Sequence, residues 1–351
     1  MNTPPLQPRH HNNFGIIRYI LAYSVLISHF NVLTGNDLYW PISSYYRVCG
    51  FFLMSGFFMY GSYMRHRGCR DFLKHRGIRL MPSYLFVVLF FAVALCAVST
   101  MSPGSYFTSL HWWKYVIANV VSLNFVCPDL PGVFENNIDT AVNGSLWTMK
   151  IEWLLYFSIA AVMPMILSKY VRASRLFITI FIVAVIGRAW CDHQYDVTGR
   201  HVYKVFANQY FTQTGFFYLG MLLNRWIDVI RKYLYWLLAA ALCVLLIGEN
   251  ILLDNPLYRM LIYPPVFSLF IVSIAFAGRW GRWVEGWENC SYEIYLLHFP
   301  LIQLCVNYNV ISHIGIVQTL VGVIVLSSLA GYVIARYISV PVRRYLSSSG
   351  R

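Results

Sequence analysis

Two ionisable side chains, Arg18 and His29, interrupt the first long apolar stretch of the chain. Their spacing of 11 residues is about 20° from three full helical turns, so both lie on one helix face, roughly 16 Å apart along the axis. A histidine in an apolar setting is suited to accept a proton from a hydroxyl group. The pair indicates acid–base chemistry at His29, although a snorkelling arginine and a helix-packing histidine would give the same pattern.

A carboxylate is predicted at a similar depth in a later apolar segment. That segment begins Asn143-Gly-Ser-Leu-Trp147-Thr-Met-Lys150-Ile-Glu152, and the helical rise places Glu152 about 10 Å from its outer end. A carboxylate near His29 would orient the imidazole and raise its basicity. We therefore predict that Glu152 assists His29; a structural pairing of Glu152 with Lys150 or an outer-loop arginine is the alternative.

A second histidine lies near the middle of the apolar segment Ser291-Tyr-Glu293-Ile-Tyr295-Leu-Leu-His298-Phe-Pro300. Pro300 has no backbone N–H, so it leaves a helix carbonyl nearby available to another partner. His298 is therefore a candidate ligand-binding residue, or else a side chain that only satisfies the kink at the proline.

The most basic stretch of the chain, residues 65–79, holds six Lys and Arg residues in fifteen positions. Arg76 and Arg79 have i, i+3 spacing, which places them on one face of a helix, with Pro82 following. Two guanidinium groups at this spacing form a fork suited to phosphate oxygens. We predict that they bind a phosphate-bearing ligand, while topology or contact with anionic lipid explains the remaining charges.

The composition requires that the elements carrying these residues lie in a membrane. The chain is 58% hydrophobic and 12% charged, against about 25% charged residues in soluble proteins. Its apolar runs have about the 20 residues that cross a bilayer. A soluble enzyme, a disordered chain and a secreted disulfide scaffold are excluded. The eight cysteines show no metal-ligand spacing, so we expect small buried side chains and no metal site.

We predict an all-α polytopic membrane protein with about ten transmembrane helices and both termini cytoplasmic. The domains are a cytoplasmic segment 1–13, a transmembrane domain 14–338 and a short basic tail 339–351. A shorter stretch, 112–126, is predicted to be re-entrant or interfacial. The predicted spans are 14–34, 46–64, 80–99, 145–168, 173–191, 205–224, 233–253, 259–278, 289–309 and 314–337.

The basic residues support this topology, because cytoplasmic loops carry an excess of Lys and Arg. Of the 27 basic residues, 20 fall on the face assigned to the cytoplasm and 7 on the opposite face. The net charge of +13 therefore reflects membrane orientation, and we expect a lipid bilayer and no nucleic acid as partner.

Five motifs in chain order resemble the integral-membrane acyltransferase-3 family, which includes bacterial O-acetyltransferases of surface glycans. One departure is Ser339-Val-Pro341, where the family often has Glu-x-Pro, so no role passes to a C-terminal acid. The motifs are Arg18 with His29, Phe52-Leu-Met-Ser-Gly56, Arg76-x-x-Arg79-x-x-Pro82, Ser145-Leu-Trp147-x-x-x-x-Glu152, and Ser291-Tyr-x-Ile-Tyr295-Leu-x-His298.

The resemblance implies transfer of an acyl group, usually acetyl, from cytosolic acyl-CoA to a hydroxyl of a glycan or lipid-linked sugar. It implies a multi-pass protein of the bacterial inner membrane, with acetyl-CoA as a donor substrate and no permanently bound cofactor. Direct attack by the acceptor is the preferred mechanism, and an acyl-His29 intermediate is the alternative. The assigned roles are catalysis for His29 and Glu152, donor binding for Arg18, Arg76 and Arg79, and substrate binding for Asn143, Trp147, Tyr295 and His298.

Two other functional classes would also place ionisable residues in a membrane. A proton-coupled transporter or flippase of a polysaccharide precursor could use His29 and Glu152 as a proton relay. Such transporters usually show repeats and matching interrupted helices, and the sequence has neither. A non-catalytic export partner would not require Arg18, His29, Arg76 and Arg79 together.

The topology leads to a labelling prediction. In intact cells, Asn136→Cys should react with a membrane-impermeant maleimide, because residues 100–144 are predicted to lie outside, whereas Ser348→Cys should not react. The parent protein gives the background from its native cysteines, and permeabilised cells should label at both positions. Labelling of Ser348→Cys alone in intact cells would reverse the orientation.

Overall fold

The computed structural model describes residues 12–40, 44–66, 68–168, 171–252, 255–284 and 288–348. These residues form helices and connecting segments, with no strand among them, which confirms the all-α prediction. Six helical segments within the described ranges are long and apolar enough to cross a membrane. They are Phe14–Thr34, Cys69–Ala97, Gly144–Leu167, Ala173–Thr198, Tyr258–Phe276 and Ile316–Leu346.

Each of the ten predicted spans contains a helix, and the number of helices that cross the membrane stays a prediction. Three π-helical segments, Phe206–Phe211, Tyr258–Ile262 and Ala335–Ser339, extend α-helices. The α-helices are α1 (Phe14–Thr34), α2 (Ser44–Met64), α3 (Cys69–Ala94), α4 (Pro103–Thr108), α5 (Leu110–Val120), α6 (Trp147–Leu167), α7 (Ala173–Thr198), α8 (His201–Val205), α9 (Thr212–Arg225), α10 (Ile227–Lys232), α11 (Leu234–Ile251), α12 (Tyr263–Phe276), α13 (Ser291–Asn307), α14 (Val310–Ile314), α15 (Ile316–Ile334) and α16 (Val340–Ser348).

Helix α3 begins well before the predicted span 80–99, because most of the basic segment is itself helical. Phe72, Arg76 and Leu80 follow one another at i, i+4 spacing and are all buried, so they form a stripe along the buried face of the helix. Asp71 lies in the first helical turn, where a negative charge favours the helix dipole. The basic stretch before the predicted span 80–99 therefore extends the helix that carries both candidate phosphate ligands.

The chain divides into two compact units. The first contains residues 1–19, 49–60 and 171–287, and its described core includes α7, α9 and α12. The second contains residues 20–48, 61–170 and 288–351, which include α3, α6, α13 and α15.

Helix α13 lies at the centre of the second unit and is buried at every residue from Glu293 to Pro300. It packs against α15 and α3, and Ser83 on α3 donates a 2.6 Å hydrogen bond to the Glu293 carboxylate. A helix that is buried on all sides needs partners for every polar group that it carries. The candidate site depends on how α13 meets this requirement.

Within the second unit, residues 95–146 form short helices and irregular segments joined by side-chain hydrogen bonds. Gln303 of α13 donates to the carbonyls of Asp139 and Ala141, at 2.6 and 2.7 Å. Tyr106 of α4 donates to the Ala92 carbonyl, and burial raises the pKa of its phenol above the usual value. The stretch predicted as re-entrant or interfacial forms α5 and the 3-10 turn Asn124–Val126.

In the first unit, two glycines allow α2 and α9 to pack at very short range. A Cβ atom on Gly56 would overlap the backbone carbonyl of Phe217, and one on Gly220 would overlap the carbonyl of Leu53. Small residues at helix contacts allow this approach in membrane proteins. Gly56 closes the Phe52–Gly56 motif, so the structure gives that glycine a packing role.

Alanine at Gly56 or Gly220 should lower the thermal unfolding temperature of the purified protein in detergent. Separating two backbones that already touch should cost about 1–3 kcal/mol or more, as overpacked cores do. Gly322→Ala on α15 is the matched control, because no atom lies within 4 Å of its added Cβ. Equal unfolding temperatures for all three variants would contradict the close packing of α2 on α9.

Candidate active site

The second unit brings His29 of α1 and His298 of α13 into direct contact. His29 Nδ1 lies 2.7 Å from His298 Nε2, and the two rings stack at 5.0 Å with 10° between their planes. His298 is fully buried, whereas His29 is only partly buried. The Phe299 ring meets His29 edge to face at 5.2 Å. The structure therefore joins a predicted catalytic residue to a predicted substrate-binding residue.

The hydrogen bonds assign the proton positions of the neutral pair. His298 Nδ1 lies 3.2 Å from the Ile294 carbonyl, which can only accept, so Nδ1 of His298 carries the proton. Its Nε2 is then an acceptor, and His29 Nδ1 must donate to it. The remaining ring nitrogen of His29, Nε2, keeps its lone pair. His29 is thus held in the tautomer that a general base requires.

Arg47 adds a positive charge close to this histidine pair. It is 7% exposed, donates a 2.9 Å hydrogen bond to the Ser24 carbonyl of α1, and interacts electrostatically with His29. Arg47 is one of the 7 basic residues that the predicted topology places on the face opposite the cytoplasm. Its position inside the predicted span 46–64 was the signal that could have singled it out, because a charge within a span is costly.

Asn143 binds the carbonyl that Pro300 leaves without a helical partner. In a regular helix the N–H of residue 300 would bond to the Leu296 carbonyl, and proline has no such N–H. Asn143 Nδ2 donates to that carbonyl at 2.7 Å. A carbonyl without a helical partner is predicted from Pro300, and its hydrogen-bond donor is a side chain of the protein itself, Asn143.

Further contacts fasten the start of α6 to α13 beside His298. Tyr295 donates to the Ser145 carbonyl at 2.9 Å and pairs with the Thr148 hydroxyl at 3.2 Å. A Cβ atom on Gly144 would lie 2.8 Å from the Phe299 ring. Asn143 and Tyr295 are therefore used in internal contacts. Trp147 is partly buried at the first position of α6, and substrate binding by these residues stays a prediction.

Glu152 lies in a cluster with Tyr156 and Arg76. The Tyr156 hydroxyl donates to the Glu152 carboxylate, and Arg76 interacts electrostatically with both side chains. Arg76 is 4% exposed, with its guanidinium 5.9 Å from the Tyr156 ring centre, and donates to Ser62 at 2.8 Å. The hydrogen-bond partner on His29 is His298, and assistance from Glu152 stays a prediction.

Arg79 has a different environment from Arg76, because it lines an open cavity of about 430 Å³. The cavity lies between the start of α3 and the C-terminal helix α16, which contributes Arg343 and Arg344. Its charged lining also includes one acid, Glu288. The predicted topology gives these two arginines only a role in membrane orientation, and their adjacent positions in the sequence are the signal that could have singled them out as candidate phosphate ligands.

Arg18, the third predicted donor-binding residue, belongs to the first unit. Its guanidinium lies 5.2 Å from the centre of the Phe58 ring of α2. The side chain is partly exposed, so the cation–π contact leaves part of it at the surface. Donor binding by Arg18 stays a prediction.

Comparison with known proteins identifies the family. A family model described as an acyltransferase domain, that of the acyltransferase-3 family, matches residues 11–338. No curated protein and no solved structure matches the chain. The family match covers nearly the whole sequence, including His29 and His298 of the histidine pair and Arg76 and Arg79 of α3. The protein therefore belongs to the acyltransferase-3 family.

Proposed function

We propose that the protein is an O-acyltransferase that moves an acyl group, most often acetyl, from cytosolic acyl-CoA to a hydroxyl of a surface or exported glycan or glycolipid. The proposal places it in the bacterial inner membrane. The observation that carries it is the His29–His298 hydrogen bond, which gives an acyltransferase a histidine with one unprotonated ring nitrogen. Transfer to a hydroxyl needs such a base, because a neutral alcohol is a weak nucleophile.

The reaction follows from the proton positions. The acceptor hydroxyl gives its proton to Nε2 of His29 while its oxygen bonds to the thioester carbon. The resulting tetrahedral intermediate expels the sulfur, and His29 returns the proton to the leaving thiolate. The products are an O-acyl ester and free CoA, and the histidine pair is restored. His298 acts as a positioning residue, because it touches His29 through the nitrogen that does not exchange the proton.

Arg47 is suited to stabilise the negative oxygen of the intermediate. Charge that develops during acyl transfer is stabilised best by fixed cationic or hydrogen-bonding groups in a site without bulk water. Arg47 is buried, is held by the Ser24 carbonyl, and interacts electrostatically with His29. A fixed positive charge beside the base therefore supports acyl transfer over simple packing by the two histidines.

The basic cavity supports acyl-CoA as donor. The nucleotide part of CoA carries several phosphate charges, and Arg79, Arg343 and Arg344 line one open volume. That volume of about 430 Å³ lies within the usual range for small-molecule sites. Arginine suits this role better than lysine, because its planar group binds phosphate oxygens with two parallel hydrogen bonds.

His29→Ala should lower product formation by ~10²–10⁴-fold while insertion and yield stay near normal, because the general base is lost. The measurement is transfer of radiolabel from acetyl-CoA into glycan and lipid extracts by the purified protein. His313→Ala, an exposed histidine of α14, is the control and should keep wild-type activity. Full activity in a folded His29→Ala protein would end the proposal for His29.

The role of His298 is tested by two substitutions that differ in hydrogen bonding. His298→Gln keeps an oxygen that can accept from His29 Nδ1 and should retain part of the rate, whereas His298→Leu removes the acceptor and should approach the His29→Ala rate. Both variants should keep the wild-type KM for acetyl-CoA. Equal rates for Gln and Leu would show that His298 serves packing alone.

Alanine at Arg79, Arg343 or Arg344 should raise the KM for acetyl-CoA by roughly tenfold each, because a charge-assisted hydrogen bond is lost. Arg79→Lys should restore only part of the affinity, since a point charge cannot bind two oxygens in parallel. Arg175→Ala, an exposed arginine of α7, is the control.

A truncated donor separates nucleotide binding from other effects. Acetyl-pantetheine carries the same thioester without the nucleotide, so its turnover should be equal in the wild-type protein and in the three alanine variants. Loss of turnover with both donors would show that these arginines maintain the fold or take part in the chemical step, and do not act through the nucleotide. Unchanged KM for acetyl-CoA in all three variants would place the donor site elsewhere.

A further inference from the structure

Three side chains of types that can bind a metal ion, His111, Cys127 and Asp129, lie close together in the second unit, in the region that precedes α6. His111 Nε2 lies 3.1 Å from a carboxylate oxygen of Asp129 and 3.7 Å from the sulfur of Cys127. All three potential ligand atoms lie within 4.8 Å of one another. None of these residues has a part in the acyl-transfer site described above.

The distances fit tetrahedral zinc. Zinc binds nitrogen and oxygen at about 2.0–2.2 Å and sulfur at about 2.3 Å, so two ligands of one tetrahedral ion lie roughly 3.3–3.6 Å apart. The observed separations of 3.1 and 3.7 Å bracket that range. Since the third pair, Cys127 and Asp129, lies within 4.8 Å, an ion would need side-chain movements of at most about 1 Å.

Besides contacts from the ligand atoms to the His111 and Asp129 carbonyls, the backbone around the three residues is held by contacts that do not use those atoms. Ser109 caps the start of α5, where its hydroxyl accepts from the His111 backbone N–H at 3.1 Å. Asn119 donates to the Cys127 carbonyl at 2.9 Å, and Tyr84 donates to the Asn119 carbonyl at 2.6 Å. A site built on a fixed backbone loses little entropy when it binds a metal ion.

Exposure of the three side chains leaves one side of the cluster open. Cys127 is 5% exposed, whereas the side chains of His111 and Asp129 are 42% and 37% exposed. The buried sulfur forms the base of the site and the other two ligands form its rim. Three protein ligands and an open fourth position are the arrangement of zinc sites that keep a water molecule.

We propose that His111, Cys127 and Asp129 bind a zinc ion. A thiolate and a carboxylate balance its two positive charges, and an imidazole completes a ligand set that zinc favours over Mg²⁺ or Ca²⁺. The sequence predicts no metal site, because His111 is 16 residues from Cys127 and the pattern matches no short motif. The fold brings the residues together by returning the chain after α5.

The ion would fasten the start of α5 to the irregular segment that leads to α6. That segment continues to Val142, whose N–H bonds to the Pro128 carbonyl at 2.9 Å, and then to Asn143, which binds the Leu296 carbonyl beside His298. The proposed role of the metal is therefore structural, and its binding is independent of the acyltransferase proposal.

Metal binding is measured on the full chain without a polyhistidine tag, purified in detergent and treated with chelator. Titration with Co²⁺ should give a thiolate-to-cobalt charge-transfer band, and addition of Zn²⁺ should remove it with a stoichiometry of one ion per chain. Cys127→Ser should abolish the band. Cys96→Ser, a partly buried cysteine in the same unit, is the matched control and should keep it.

Asp129→Asn, which keeps the size of the side chain, is the second test variant if Cys127→Ser does not fold. It should weaken Zn²⁺ binding at least tenfold while the cobalt band stays visible at high Co²⁺. Zinc should also raise the thermal unfolding temperature of the wild-type protein and of Cys96→Ser, but not of Cys127→Ser. Absence of the band in the wild-type protein, or an unchanged band in Cys127→Ser, would overturn the proposal.

Discussion

The 2.7 Å hydrogen bond between His29 and His298 is the contact on which the candidate active site depends. It joins α1 to α13, two helices separated by more than 250 residues of sequence, and it fixes which nitrogen of His29 is free. The proton that defines this tautomer is set by the Ile294 carbonyl, one helical turn before His298. The chemistry of His29 is therefore determined by the backbone of a different helix.

Burial of α13 explains polar contacts that neighbouring segments make with it. In a membrane-spanning unit, a backbone carbonyl without a partner costs several kcal/mol, because lipid offers no donor. Asn143 binds the Leu296 carbonyl that Pro300 leaves available, and Ser83 donates to the Glu293 carboxylate.

The same solution occurs in α6, where Cys69 donates to the Ala160 carbonyl four residues before Pro164. Prolines inside these helices thus create specific binding positions for side chains from neighbouring segments. A motif such as Asn143-Gly-Ser is explained by this packing before any substrate is considered.

Much of the fold was predictable because hydropathy is local information. Every predicted span contains a helix, and Pro300 correctly indicated a freed carbonyl in α13. The contact between His29 and His298 was not predictable, since no pattern along the chain reports which helices are neighbours. The difference in burial between Arg76 and Arg79 was also not predictable from the sequence. Their i, i+3 spacing places them about 60° apart around α3, and the edge of the buried stripe falls between them.

The basic cavity and His298 of the histidine pair lie on two helices of one unit, α3 and α13, which pack against each other. From Arg79 to Ser83 along α3 is about 6 Å, and from Glu293 to His298 along α13 is about 7.5 Å, by helical rise. The 2.6 Å hydrogen bond from the Ser83 hydroxyl to the Glu293 carboxylate joins the two helices. The two rises sum to roughly 14 Å before the spacing of about 8–10 Å between packed helix axes is added. Under the proposed function, the extended thioester arm of acyl-CoA, and not its nucleotide, covers the distance from the cavity to His29. Three arginines line the cavity at one end and a neutral histidine lies at the other, so the proposed acyl-CoA would place its phosphates in the cavity and its uncharged thioester at His29.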